Sequence, residues 1–304
     1  MLRCAPVRKP SVLKSEPRSA ERIREQYLVE KELASRLRTA GKRERLRLYS
    51  AVYDELFQRF PDHPQLALKA DIATNAAAVA ERIKLLGRYL RSDAVFLEIG
   101  PGDCSLAIEV ARRVRKVYAL EASAEISRAA ALPENVELII SDSCAVPLAE
   151  GSVDVAYSDQ LFEHLHPEDA LEQLKNIYRA LTPSGIYICL TPNRLSGPHD
   201  VSRDFDDVAT GLHLKEYTAT ELAGVFRSAG FARVEFVAGA RGVHAPFPLA
   251  VVKALESFLN CLPRGVAKRL ARSVPLRVLL GVKLVGRKTV SETSRDIALA
   301  HYHA

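Results

Sequence analysis

The chain has 304 residues, a formal net charge of +6, 48% hydrophobic residues and 26% charged residues, proportions that are ordinary for a soluble globular protein. No apolar run approaches the roughly 20 residues of a membrane-spanning helix, and the basic N-terminus lacks the apolar core of a secretory signal, so we expect a cytoplasmic protein. The five cysteines are widely spaced without a Cys-x-x-Cys pair, which argues against a disulfide framework.

Basic residues are concentrated at the two ends of the chain. Residues 1–48 carry 14 Lys and Arg against 6 Asp and Glu, and residues 241–304 carry 11 against 3, which leaves an acidic centre. Two interpretations stay open. The basic side chains either cover solvated helix faces or contact an acidic surface, which would be anionic lipid or nucleic acid.

The first 90 residues precede the region where strands and helices alternate. Residues 1–20 are rich in Pro, Ser, Lys and Arg without periodicity, which predicts a disordered tail. Apolar residues at helical spacing predict two helices between residues 20 and 58, interrupted at Gly41, and a third at about 65–90 after a proline-rich loop. We interpret residues 1–90 as a tail followed by a helical extension.

From residue 94 onward the pattern alternates between strands and helices. The alternation predicts an α/β fold, a parallel sheet with helices on both faces. The predicted strands are 94–99, 116–120, 136–140, 153–157, 185–190 and 231–237, and the predicted helices are 104–113, 124–131, 167–181 and 218–229.

A tight turn with two glycines follows the first predicted strand. Gly100-Pro-Gly102 lies between an apolar run and a helical pattern, where unpaired N–H groups and the positive end of the helix dipole can meet a ligand. The dinucleotide-binding fingerprint fails because Ser105 occupies its third glycine position, and the lysine of a nucleoside-triphosphate loop is absent.

Glu98, Gly100 and Gly102 resemble the first motif of class I S-adenosylmethionine-dependent methyltransferases, in which an acidic residue precedes alternating glycines. Cys104 stands where that family has its last glycine. The resemblance covers about residues 90–240 and 276–288. It implies a Rossmann-like, mostly parallel sheet of seven strands, the last of which, 276–285, is inserted antiparallel beside the sixth.

The resemblance also implies a domain organisation and a cofactor. The methyltransferase domain would span residues 91–290, with a helical insertion at about 240–275, and a polar tail would follow at 291–304. The cofactor would be S-adenosylmethionine. Glu98 would orient the turn near its methionine part.

Acidic residues also follow the next three strands, and ligands of such sheets bind at the carboxyl ends of the strands. Glu121 lies 19 residues after Gly102 and would accept the ribose hydroxyls. In the family, the acid at the position of Asp142 faces the adenine amino group, and the next backbone N–H, here that of Ser143, meets a ring nitrogen. Asp159 would face the cofactor or the site of methyl transfer.

Glu163-His164, after the fourth strand, matches the Glu-His pair of many small-molecule O-methyltransferases of the family. A hydroxyl acceptor must lose its proton, and histidine suits that task. In the ubiquinone-pathway type, a Glu-x-x-Glu-His pattern lies near a divalent metal, but the first position here is Gln160, whose neutral amide is a weaker ligand for a hard cation. We therefore predict His164 and Glu163 as catalytic residues without a metal. Metal assistance and a purely structural pair are the alternatives.

A long polar loop after the fifth strand is the expected place for the substrate. His199, Asp200, Arg203 and His213 are candidates for substrate contact, and hydrogen bonds that rigidify the loop are the alternative. The expected reaction is methyl transfer to a hydroxyl of a small-molecule or lipid-like metabolite. N- or C-methylation and a catalytically silent, cofactor-binding module are the rival interpretations.

Two partner classes follow from the basic ends. An amphipathic segment, 249–274, carries basic residues on its polar side and either packs over the active site or contacts an anionic membrane. We do not expect a nucleic-acid partner, because the Asn/Asp-Pro-Pro-Tyr signature of base methylation is absent and aromatic residues are few. The pattern leaves the oligomeric state open. The basic residues on the polar side of the amphipathic segment 249–274 are Lys253, Lys268, Arg269 and Arg272.

Overall fold

The computed structural model describes residues 18–63, 66, 72–122, 131–240 and 242–289. Within them, eight strands form a single sheet in the order β3-β2-β1-β4-β5-β8-β6-β7. The strands are β1 (Val95–Ile99), β2 (Lys116–Glu121), β3 (Val136–Ile140), β4 (Val153–Asp159), β5 (Leu181–Thr191), β6 (Arg233–Ala240), β7 (Val243–Phe247) and β8 (Val282–Arg287).

Helices connect and cover these strands. Two single-turn 3₁₀ helices, Phe162–His164 and Val201–Asp204, lie in the loops after β4 and β5. The α-helices are α1 (Ala20–Thr39), α2 (Lys42–Arg59), α3 (Ile72–Leu86), α4 (Ser105–Ala111), α5 (Pro167–Ala180), α6 (Ala219–Ser228), α7 (Leu249–Cys261), α8 (Arg264–Ala271) and α9 (Val274–Leu280).

The first five strands of the sheet run parallel, and β8 runs antiparallel between β5 and β6. All five residues of the central strand β1 are buried, as expected for a parallel strand covered on both faces. The α/β fold and the antiparallel insertion of the last strand are therefore confirmed. The parallel arrangement brings the ends of β1, β2, β3 and β4 to one edge of the sheet.

The predicted strand count is one too low, because β7 forms a hairpin with β6 where we predicted the start of the helical insertion. Gly239 has a φ of +144°, and a Cβ there would lie 2.0 Å from the Val243 carbonyl oxygen, so only glycine permits this close pairing. Pro246 weakened the strand signal. Proline is tolerated here because β7 lies at the edge of the sheet.

The predicted last strand, 276–285, is also partly wrong. Its first half belongs to α9, which Pro275 helps to begin and Gly281 ends, and β8 starts only at Val282. A short apolar run fits a buried strand and a buried helix equally well, so periodicity could not decide between them. The predicted helix at 124–131 and the tail 291–304 lie outside the described residues except for residue 131, and residues 1–17 also lie outside them.

The N-terminal helices pack onto the domain. Leu33 of α1 and Val52 of α2 belong to the same buried cluster as Phe162, after β4, and Tyr187 of β5. No helix in the described ranges is both long and apolar enough to cross a membrane. Cys144, Cys189 and Cys261 form no disulfide bond among the described residues.

Candidate active site

The glycine turn between β1 and α4 has three residues in the left-handed region. Gly100, Gly102 and Cys104 have φ values of +70°, +59° and +60°. Cys104 is fully buried, and for a residue with a Cβ this conformation costs about 1–2 kcal/mol. The position where the family has glycine therefore keeps the glycine-like backbone. A Cβ at Gly100 would lie 3.3 Å from Leu161 Cδ1, which places the segment after β4 directly against the turn.

Helix α3 is tied to the same turn. Asn75 Nδ2 donates to Asp103 Oδ2 at 2.7 Å and to Ser105 Oγ at 3.0 Å. Asp103 Oδ1 in turn accepts from the backbone N–H of Ser105 at 3.1 Å, at the start of α4. These bonds attach helix α3 to the glycine turn and to the start of α4.

The acids at the strand tips lie where the parallel sheet predicts. Glu121 accepts hydrogen bonds from the backbone N–H of Gly102 at 3.1 Å and of Ala122 at 2.8 Å, so the end of β2 faces the glycine turn. Asp142 Oδ1 accepts from two backbone N–H groups that follow it, at 2.9 and 2.7 Å. Gln173 Nε2 donates to the Ser143 carbonyl oxygen, which anchors this turn to α5.

Glu98 is the buried acid of the crevice. Its Oε2 has no hydrogen-bond partner in the part of the chain that the structure describes, and burial raises the pKa of the carboxyl to about 8, helped by the negative charges of Asp159, Asp103 and Glu121. A cationic ligand would relieve both the burial cost and the repulsion. The glycine turn, the carboxylate of Glu121 that we predict to bind the ribose, and this acidic surrounding therefore fit a ligand that carries a nucleoside and a positive charge.

Asp159 lines a neighbouring cavity of about 530 Å³ at the same edge of the sheet. Its carboxylate is paired with Arg82 of α3, with Arg82 Nε 2.7 Å from Asp159 Oδ2. Across the cavity, Lys283 of β8 donates to the Gly239 carbonyl oxygen at 2.9 Å, and burial lowers its pKa. The cavity thus adjoins the cofactor crevice and presents charges of both signs.

Glu163 and His164 lie together in the 3₁₀ turn after β4. Glu163 is fully buried; its Oε2 accepts from Thr191 Oγ1 at 2.8 Å, and its Oε1 has no hydrogen-bond partner within the described ranges. His164 Nδ1 lies 2.8 Å from the Tyr53 hydroxyl and 3.1 Å from the Leu212 carbonyl oxygen. The sequence neighbours are therefore held by three different parts of the chain.

His213 joins this pair from the loop before α6. One ligand atom from each of Glu163, His164 and His213 lies within 4.8 Å of the other two. The two imidazole rings meet edge to face with centroids 4.8 Å apart, and His213 Nδ1 lies 2.8 Å from Glu216 Oε1. We call these three residues the Glu-His-His cluster.

Burial governs the pKa values within the Glu-His-His cluster. It lowers the pKa of His164 to about 3, with His213 adding to the effect, and raises the pKa of Glu163 to about 7. Burial also opposes the charge on His213, but the hydrogen bond to Glu216 and the charge of Glu163 raise its pKa overall. His164 is therefore neutral near pH 7. Its low basicity argues against His164 as a base acting alone.

The other substrate candidates are mostly engaged within the loop. His199 Nε2 lies 2.9 Å from Ser196 Oγ, and Asp200 Oδ1 accepts from the Ser202 N–H at 3.1 Å to cap a 3₁₀ turn. Arg203 is exposed beside Asp204. Of the four candidates, only His213 reaches the Glu-His-His cluster. For His199 and Asp200, the contacts are those of the loop-rigidifying alternative.

Residues of the N-terminal helices were missed as parts of the site. Tyr53 of α2 reaches His164, and Arg38 of α1 donates to the carbonyl oxygens of Thr210, Gly211 and His213 at 3.1–3.2 Å. No spacing rule links residues so far apart in sequence. His213 and Glu216, only three residues apart, were the pair that the sequence could have revealed.

Comparisons with known proteins agree with this geometry. Residues 97–189 match the family described as "Methyltransferase domain". A protein of Mycolicibacterium smegmatis named as a probable S-adenosylmethionine-dependent methyltransferase is 31% identical over 138 residues, which cover 44% of this chain and 51% of that protein. A protein of Mycobacterium tuberculosis with the same description is 30% identical over 139 residues, 45% of this chain and 48% of its own length. The chain thus spans about half the length of these curated relatives.

A solved structure shares the fold. The complex of a Haloferax volcanii methyltransferase with the Trm112 methyltransferase activator matches with a TM-score of 0.51 and 17% identity, covering 74% of this chain and 97% of that chain. The matched segment and the sheet topology support a class I S-adenosylmethionine-dependent methyltransferase domain in this chain, with S-adenosylmethionine as its cofactor.

Proposed function

We propose that the protein methylates a hydroxyl group of a small-molecule or lipid-like metabolite. One observation carries this proposal. A cavity with charged side chains lies at the carboxyl edge of the sheet, and two members of the Glu-His-His cluster, Glu163 and His164, closely follow Leu161, which lies against the glycine turn. A hydroxyl acceptor needs such a cluster, because it must lose its proton when it is methylated.

When bound, S-adenosylmethionine would supply a methyl group from its positively charged sulfur, which would leave as a neutral thioether when a nucleophile takes the methyl carbon in line. The chain's own task is to hold and align the reactants. In this proposal Glu121 would accept the ribose hydroxyls, Asp142 and the backbone of Ser143 would meet the adenine, and Glu98 would face the cationic end. The paired side chains of Arg82 and Asp159 both line the cavity that we propose for the acceptor.

The Glu-His-His cluster would orient the acceptor hydroxyl, and its three residues would together accept the hydroxyl proton. Glu163 Oε1 is a buried acceptor atom without a partner among the residues that the structure describes, and the hydrogen bonds that His164 shares with Tyr53 and Glu163 with Thr191 hold the two side chains in place. Since the pKa of His164 is held far below neutrality, the proposed role of His164 is to position the hydroxyl and not to act as the sole base.

The helices before β8 support a lipid-like acceptor. Val251 and Phe258 of α7 are 52% and 58% exposed, and Val274 at the start of α9 is 69% exposed. Lys253 of α7 and Arg269 of the intervening helix α8 are exposed as well. Exposed apolar side chains beside basic ones are the features of a helix that lies on an anionic membrane surface.

Incubation with methyl-labelled cofactor and an extract of the host cell tests the proposed function. The labelled product should be a methyl ether in the metabolite or lipid fraction, identified by mass spectrometry and by the chemical shift of the methyl carbon. Glu163→Gln should abolish the label and retain cofactor binding. The matched control, Glu137→Gln, alters an exposed glutamate of β3 that pairs with Lys116 and should label normally.

Three results would overturn the proposal. Label on nitrogen or carbon would assign a different acceptor atom. Label in protein or RNA would assign a different substrate class. Cofactor binding without any labelled product would favour a silent binding module.

A further inference from the structure

We infer that Glu163, His164 and His213 form a binding site for a divalent transition-metal ion, with Zn²⁺ as the best-matched metal. The three ligand atoms come from two separate loops and lie within 4.8 Å of one another. Zinc bonds of about 2.0–2.2 Å in tetrahedral geometry require ligand atoms roughly 3.3–3.6 Å apart, so binding needs only a modest inward movement of these side chains.

The hydrogen bonds of the two histidines leave the same nitrogen available in each. Nδ1 of His164 contacts Tyr53 and the Leu212 carbonyl oxygen, and Nδ1 of His213 contacts Glu216. Metal-binding histidines generally use one ring nitrogen for the metal and the other for a carbonyl or carboxylate that fixes the ring orientation. The Nε2 atoms of His164 and His213 are therefore the expected ligand atoms.

Glu163 provides an independent observation. Its side chain is fully buried, and its Oε1 has no hydrogen-bond partner among the described residues, although its Oε2 is held by Thr191. A buried carboxylate oxygen without a partner is costly unless a ligand satisfies it. An ion bound between Oε1 and the two imidazoles would satisfy it.

The ligand set points to the kind of metal. Two imidazoles with one carboxylate suit Zn²⁺ and related transition metals, whereas Mg²⁺ and Ca²⁺ prefer sites made wholly of oxygen. Three protein ligands leave a fourth position for an oxygen donor, as in zinc sites that take part in catalysis. The neutral amide of Gln160 argues against a metal when the sequence is considered alone. His213, from the loop before α6, supplies the third ligand instead.

The inference deepens the proposed function, on which only the role of the open position rests. A hydroxyl bound there would be oriented and would ionise more readily, because a bound metal lowers the pKa of an oxygen acid. Metal binding itself requires neither cofactor nor acceptor, so it can be measured separately.

Metal content tests the inference directly. The full chain is stripped with a chelator, equilibrated with Zn²⁺, passed through a desalting column and analysed by plasma mass spectrometry. We expect one ion per chain. His213→Ala and Glu163→Gln should each lose it, and His199→Ala, which changes an exposed histidine outside the cluster, should retain it. Calorimetric binding of S-adenosylmethionine checks that each variant is folded.

A milder variant and a spectroscopic readout guard against misfolding. Tyr53→Phe removes one hydrogen-bonding partner of His164 and should weaken Zn²⁺ binding by about 10- to 100-fold without unfolding the chain. Co²⁺ in place of Zn²⁺ should give the strong visible absorption of a four-coordinate ion, which His213→Ala should abolish.

Two results would overturn the inference: a native chain that retains no metal, or ligand variants that retain as much as the native chain. Methyl transfer to a hydroxyl by metal-free chain would refute the role of the open position in catalysis and leave the proposed function standing. One ion per chain without any methylated hydroxyl would support the metal site and contradict the proposed function.

Discussion

Glu121 links the glycine turn to the second strand, and its carboxylate accepts the N–H of Gly102. If this carboxylate also accepts the ribose hydroxyls, Glu121→Ala should weaken binding of S-adenosylmethionine by about 10- to 100-fold, because a hydrogen bond to a charged group contributes about 1.5–3 kcal/mol. Isothermal titration calorimetry measures the affinity. Glu137→Ala, at an exposed position of β3, is the matched control, and equal affinities for the two variants would contradict the ribose assignment.

Glu98 predicts a pH dependence of cofactor binding. Its raised pKa, about 8, means that the free protein holds this carboxyl protonated at pH 7. A cationic cofactor stabilises the ionised form, so binding at pH 7 should release a proton, and affinity should rise as pH increases from 6 towards 8. Calorimetry in buffers of different ionisation enthalpy measures the release. Glu98→Gln should remove this component; the same proton release from native chain and variant would show that Glu98 does not titrate on binding.

At this scale, the sequence predicts contacts that the parallel sheet enforces and misses those between distant segments. Glu121 and Gly102 could be placed together because the ends of neighbouring parallel strands share one edge. Tyr53 and His164 are 111 positions apart, and no periodicity relates a residue of α2 to the turn after β4. The third member of the Glu-His-His cluster was missed as a ligand for the same reason.

At the scale of elements, a buried ion pair fastens α2 to α5. Arg45 and Asp169 are 3% and 0% exposed, and the Tyr49 hydroxyl donates to Asp169 at 2.8 Å. Arg45→Ala leaves a buried charge without its cation and should lower the free energy of unfolding by about 3–5 kcal/mol. Urea denaturation followed by circular dichroism measures the loss.

Lys42→Ala is the control for this ion pair. Lys42 pairs with Glu172 at the surface, where the two side chains are 50% and 41% exposed, so the expected loss is at most about 1 kcal/mol. Equal losses for the two variants would show that burial does not strengthen the dependence on Arg45. A larger loss for Arg45→Ala would identify this pair as the main polar attachment of the helix that carries Tyr53.

The two errors among the elements share a physical cause. Residues 243–247 and 276–280 are short apolar segments without regular alternation, and each contains or adjoins a proline. Their conformation depends on tertiary context: β7 forms because β6 offers an edge, and α9 forms because Leu280 can pack into the small cluster with Leu259 and Ala271. The longer elements of the Rossmann-like core carry their own periodicity and were predicted.

At the scale of the whole molecule, the basic segment 249–274 has some side chains packed against the domain and others exposed to solvent. The segment 249–274 buries Val252, Glu256 and Leu259 against the domain and leaves Val251 and Phe258 exposed on α7. The packed-cap and membrane interpretations are therefore compatible, because one face of α7 is held by the protein and another is left for a partner. The proposed partner is an anionic lipid surface, which would bring a lipid-like acceptor to the enzyme.

Vesicle binding tests this arrangement. The chain should sediment with vesicles that contain phosphatidylglycerol and not with vesicles of phosphatidylcholine alone, and added salt should weaken the binding because it screens the basic side chains. Phe258→Ser should reduce the affinity by about 10- to 100-fold, since insertion of a phenylalanine contributes about 1.5–3 kcal/mol. Leu28→Ser, at an exposed position of α1, should bind as the native chain does. Binding that depends on neither Phe258 nor lipid charge would show that this segment only packs against the domain. The proposal of a lipid-like acceptor would then lose its structural support.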